Sequence, residues 1–213
     1  MKKVVFILFL IYAYFTKISF SEDLFQVSED FILKNEVSGI WRLKAYKDTK
    51  WTICNGITYY IVKNKMKGGL TGHKCRPIDK NYLNKGYVCQ VKKNDLLLLK
   101  ECKKQSKTHI DYIINKLSHK LLIGRSKKNW WNTLTIYQKA TLIDILFNYG
   151  ETNKQVKKVL EATMELQHKN TKYNKIAFYK ANLDLCEMSF DKKKYQKGQD
   201  KRCNRRIALF FNE

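Results

Sequence analysis

The sequence predicts an α+β protein, with a small antiparallel β lobe near the N-terminus, a larger helical lobe after it, and a cleft between the two. Three observations lead there. Residues 42–46 alternate polar and apolar side chains ahead of the turn-forming pair Asp48-Thr49, as strands of a hairpin do. Residues 63–93 hold Gly68-Gly69, Gly72, Pro77 and Gly86, which break regular structure. From Asn94 onward, apolar residues recur at helical spacing.

Taken in order, Ser28 to Glu36 reads as a first helix. Ser28 is its expected cap, and Phe31, Ile32 and Asn35 join Val27 in a short inward stripe. Trp41 to Tyr60 reads as two strands turning at Asp48-Thr49. Lys63 to Lys93 reads as an extended loop or hairpin region. Asp95 to Leu117 is one long helix or two short ones, with Leu96, Leu99, Ile110, Ile113 and Leu117 facing inward. Thr135-x-x-Gln138 forms a capping box for the clearest helix. Ile136, Ala140, Ile143 and Phe147 carry that helix, and Gly150 ends it. Val156 to Leu166 and Ile176 to Cys186 are two more helices, and Arg205 to Phe211 is a short terminal one.

The start of the chain reads as a leader. Met1-Lys2-Lys3 is basic, Val4 to Phe15 is apolar, and Ser19-Phe20-Ser21 supplies small residues for cleavage before Glu22. The rival is a retained anchor, but twelve apolar residues fall short of the roughly 20 that a span needs. Residues 1–21 are therefore the expected signal peptide and residues 22–213 one domain, secreted or periplasmic.

Six cysteines fit that compartment: Cys54, Cys75, Cys89, Cys102, Cys186 and Cys203. Many pairings are open. Proximity suggests Cys75–Cys89 and Cys186–Cys203, which leaves Cys54–Cys102 to tie the hairpin to the helical lobe. No C-x-x-C pair is present, and His73, His109, His119 and His168 lack metal-ligand spacing, so neither metal nor cofactor is expected.

The formal net charge is +23, and loss of Lys2, Lys3 and Lys17 with the leader leaves +20. Such a charge draws a protein to polyanions, here an anionic cell wall or membrane surface, although a lysine-rich soluble surface accounts for it too. No motif organises the lysines for nucleic acid. Trp130-Trp131 beside Lys127-Lys128 is the one local hint, and such a pair is more often core or sugar-stacking surface.

Three polar residues cluster around the predicted hairpin: Glu36, Asp48 and Thr52. Glycoside hydrolysis needs a protonated carboxyl at the leaving oxygen and a second carboxylate that orients water or meets the developing charge. A glutamate at the end of an apolar helix, with Trp41 and Trp51 nearby, suits the first role if burial raises its pKa. Each residue also has an ordinary reading: a solvated helix end, a turn aspartate and a strand threonine.

The residues around them carry a resemblance. Arg42-Leu43-Lys44-Ala45-Tyr46-Lys47-Asp48, followed by Trp51-Thr52-Ile53-Cys54 and Gly56, resembles the catalytic hairpin of the phage-type lysozymes (glycoside hydrolase family 24). Thr135-Ile136-Tyr137-Gln138 with Ala140 and Phe147-Asn148-Tyr149-Gly150 is similar to a helix of that family. Gly198, Arg205-Arg206 and Leu209-Phe210 are similar to its closing segment, and Cys54 is similar to the exported endolysins.

The resemblance implies a lysozyme-like fold and a muramidase acting on peptidoglycan glycan strands as a monomer. Glu36 would be the acid, with Asp48 and Thr52 positioning water. Several departures matter. Gly39 stands at the family's spacing for the glutamate and Thr52 follows Asp48 too closely, so Glu36 fits only if Val37-Ser38-Gly39 is an insertion and residues are lost after Asp48. The closing segment also carries extra residues between Gly198 and Arg205. Ile57 replaces a family histidine. The alternative implied by these departures is a catalytically inactive, lysozyme-like cationic protein that binds wall or membrane.

Overall fold

The computed structural model describes residues 24–47, 50–63, 73–78, 86–118, 130–150, 152–168, 172–187 and 192–211. The expected leader lies outside the described residues. A first helix, α1, covers residues 24–37. Five strands follow: β1 (Arg42–Lys47), β2 (Trp51–Cys54), β3 (Tyr59–Val62), β4 (Cys75–Pro77) and β5 (Tyr87–Gln90). The remaining helices are α2 (Leu99–Ser118), α3 (Trp130–Thr133), α4 (Ile136–Tyr149), α5 (Lys154–His168), α6 (Lys172–Glu187) and α7 (Lys192–Phe211). The described residues are thus α+β, with α1 first, the five strands next and the remaining helices after them.

Two small antiparallel sheets form the β part. β1 pairs with β2, and the second sheet has the order β3-β5-β4. Tyr59 therefore opens a third strand rather than closing the hairpin, and the region expected as loop or hairpin supplies two more. Pro77 is tolerated because β4 is an edge strand, where a missing amide donor breaks no ladder. Cys75 and Cys89 are register partners across β4 and β5 and form a disulfide. Cys54–Cys102 ties β2 to α2, and Cys186–Cys203 ties α6 to α7. Two are the pairs that proximity suggested, and Cys54–Cys102 is the pair those two left over.

The core has two parts. Ile53, Ile57, Tyr60, Cys89 and Val91 gather under the sheets, with Trp41 and Trp51 packed against them. A larger helical core holds Ile32, Ile110, Leu142, Ile143, Leu160 and Phe178, with Phe178 stacked on Phe210. Phe147 of α4 packs against both parts and so joins them. Trp130 and Trp131 are buried in the helical core, which removes them as a stacking surface.

Four expectations need correction. Ser28 does not cap α1; the helix already runs from residue 24, and the buried Ser28 hydroxyl donates to the Leu24 carbonyl one turn earlier. Leu96 faces outward because residues 95–97 lie extended beside β1, where the Ala45 amide bonds the Asp95 carbonyl and the Leu97 amide bonds the Leu43 carbonyl, and Leu99 is exposed at the start of α2. α2 accordingly is one helix that starts at Leu99 rather than Asp95. The terminal helix is long, twenty residues, since α7 begins at Lys192. The α4 expectation holds in detail: the Thr135 side chain accepts from the Gln138 amide, Gln138 reciprocates, and Gly150 follows at φ +71°.

Candidate active site

Glu36 sits near the C-terminal end of α1, where the chain turns through two left-handed residues, Ser38 and Gly39, toward β1. That turn aims the helix end at the tip between β2 and β3. Gly56 occupies the tip at φ +104°, a conformation that L side chains rarely adopt. A Cβ there would also lie 3.0 Å from Glu36 Cγ and 3.1 Å from Oε2, so the glutamate rests directly on the bare backbone of the tip.

The tip is anchored from below. Cys54, at φ +59°, is bonded to Cys102 of α2. The buried Asn55 amide donates to the Ser106 hydroxyl, also of α2, at 3.0 Å. Two successive residues thus hold Gly56 against Glu36.

The far side is built by α4 and α7. Arg202, Arg205 and Arg206 lie on one face of α7 and reach the end of α1 and the end of α4. Arg202 Nη2 donates to the Asn35 carbonyl at 3.0 Å, and Arg205 Nη1 approaches the Lys34 carbonyl at 3.4 Å; both carbonyls belong to the last turn of α1, which lacks internal donors. Arg206 is fully buried. Its Nε donates to Asp144 Oδ2 at 2.6 Å and its Nη1 to the Tyr149 hydroxyl at 3.2 Å. Asp144 in turn accepts from Asn148 and Asn35. This network fixes α1, α4 and α7 relative to one another.

Glu36 is enclosed by these groups, its side chain only 16 % exposed. Arg202 Nη2 lies 2.9 Å from Glu36 Oε1, yet that oxygen receives no aligned hydrogen bond. The aligned hydrogen bond of Arg202 Nη2 goes to the Asn35 carbonyl, and its approach to Glu36 is a charge contact rather than a fork. Burial pushes the Glu36 carboxyl from 4.5 up to about 7; Arg202 opposes the rise, buried Asp144 adds to it, and Arg206 and the Asn148 amide oppose it. A carboxyl balanced near neutrality can give and take a proton at physiological pH.

Thr52 lies on the same hairpin, buried in β2, with its hydroxyl donating to the Lys50 carbonyl at 3.1 Å. Asp48 lies outside the described residues. Glu36 meets Gly56 and Arg202, and Thr52 shares the hairpin with Gly56. A pocket of about 570 Å³ opens beside this hairpin, lined among others by Lys47, Lys50, Trp51, Tyr59, Lys74 and Arg76, and Glu36 does not line it. Sequence reasoning named Glu36 but missed Arg202, Asp144 and Asn148 as its surroundings. The spacing of 202, 205 and 206 on one helical face was the available signal.

No protein-family model matches the chain, and a search of the curated proteins returns no match.

Proposed function

We propose that this chain is a muramidase that hydrolyses peptidoglycan between N-acetylmuramic acid and N-acetylglucosamine outside the cytoplasm. The observation that carries the reading is Glu36, a carboxyl held near neutrality by burial against the Gly56 tip between β2 and β3. Glu36 donates its proton to the glycosidic oxygen. Asp48 and Thr52 position the water that attacks the sugar from the opposite face. The basic hairpin flank, Lys47 and Lys50, suits an anionic wall.

Three disulfides fit an oxidising compartment, and among the described residues no helix is long and apolar enough to cross a membrane. A secreted or periplasmic monomer is the location and state we assign. The second reading, an inactive lysozyme-like wall binder, draws on the Thr52 hydroxyl being committed to the Lys50 carbonyl.

A turbidity assay on purified peptidoglycan separates the two. Wild type should clear the suspension, and Glu36→Gln should be slower by at least about 100-fold. Wild-type protein that binds peptidoglycan without clearing it would establish the second reading instead.

A further inference from the structure

Folded chains scatter exposed leucines singly, so several together call for a partner. Leu96, Leu98 and Leu99 are 71, 58 and 44 % exposed, on the approach to α2 and in its first turn. The backbone presenting them is fixed. Leu96 bridges Lys44, and Leu97 packs inward on the β core with its amide bonded to Leu43. The Glu101 carboxylate accepts from the Leu98 amide at 2.7 Å. The antiparallel run against β1 sends the residues before Leu43 in the direction of Leu98 and Leu99, and Ile40 there is 70 % exposed. Lys93, Lys100, Lys103 and Lys104 are exposed on the same short segment. Its two acids are engaged: Glu101 as above, and Asp95 by Tyr60 and His73.

We infer that this leucine ridge, with its lysine rim, is a docking surface for an anionic lipid membrane. Protein interfaces are centred on Trp, Tyr and Arg, and leucine is under-represented among their strongest contributors. An aliphatic ridge with ammonium groups around it matches a lipid surface better. The leucines enter the boundary between headgroups and acyl chains while the lysines meet the anionic headgroups. The inference stands independently of the muramidase reading.

The test mixes the full chain with phosphatidylglycerol or phosphatidylcholine vesicles and sediments them. The triple variant Leu96→Ser, Leu98→Ser, Leu99→Ser should bind phosphatidylglycerol vesicles at least about 10-fold more weakly than wild type. Lys93→Gln with Lys100→Gln and Lys103→Gln should weaken that binding too, and phosphatidylcholine should bind less than phosphatidylglycerol in every case. Amides of residues 96–101 should exchange more slowly when vesicles are added, a local readout that any membrane affinity of residues 1–21 does not mimic. If the triple variant unfolds, Leu98→Ser alone with the exchange readout decides. Leucine variants that bind as wild type, or unchanged exchange at 96–101, would overturn the inference. So would a wild-type dimer that the substitutions dissociate, which would assign the ridge to a second copy. Glu36→Gln should leave vesicle binding untouched whatever it does to lysis.

Discussion

Glu36→Gln should make the protein more stable at alkaline pH. The unfolded chain holds this carboxyl at its ordinary 4.5, whereas the folded site holds it near 7. Between these values the native state keeps a proton that the unfolded chain has released, so stability falls as pH rises through that window and stays low above it. The difference of about 2.5 pH units corresponds to roughly 3 kcal/mol at 1.36 kcal/mol per unit. Glutamine keeps the shape and removes the charge. Arg202 retains the Asn35 carbonyl as an acceptor, so it is not stranded. Urea unfolding at pH 8 should therefore show the variant more stable by up to about 3 kcal/mol, a gap that closes toward pH 4. Wild-type lysis should fail with a basic limb near pH 7 as the acid loses its proton. A variant that is less stable than wild type at pH 8, or a gap that does not change with pH, would refute the burial argument.

Four further outcomes follow from the geometry. Gly56→Ala combines a positive φ with a Cβ only 3.0 Å from Glu36 Cγ, and should lower both melting temperature and lysis, by about 1–3 kcal/mol in stability. Arg206→Leu strands the buried Asp144 carboxylate and should destabilise by about 3–5 kcal/mol in urea unfolding, with Asp144→Asn in addition recovering part of the loss. Serine at both Cys54 and Cys102 opens a loop spanning 48 residues and should lower stability by about 4 kcal/mol; mass mapping of the wild type should find all six cysteines paired. N-terminal sequencing of exported protein should read Glu22 within a residue or two, and an intact Met1 would favour the anchor.

What the sequence revealed of this fold depended on how local the cause was. α4 was readable because its capping box, its apolar repeat and its terminating glycine all lie within sixteen residues. The disulfides were readable because two of the three join elements adjacent in the chain. Ser28 misled because a serine that caps a helix and one that bonds back to the preceding turn look alike until the residues upstream are placed. Leu96 misled because helical spacing was extended over residues that tertiary pairing with β1 holds straight, and Leu99 because it opens α2 on an exposed face. Glu36 could be named from the type of residue and its place at a helix end. Its raised pKa could not, since that depends on burial and on the nearness of Asp144, against the opposing charge of Arg202, which only the fold assembles.

The Arg202–Asn35 hydrogen bond joins residues 167 apart in sequence. α7 thus completes the surroundings of the end of α1. Before α7 has docked, Glu36 stands in water as an ordinary ionised carboxylate. Contacts of such long span are also the slow ones to form, because most of the chain must be ordered before they close. The proton-holding property of this glutamate is therefore a property of the assembled fold: it does not arise until residues 202–206 have docked on the end of α1.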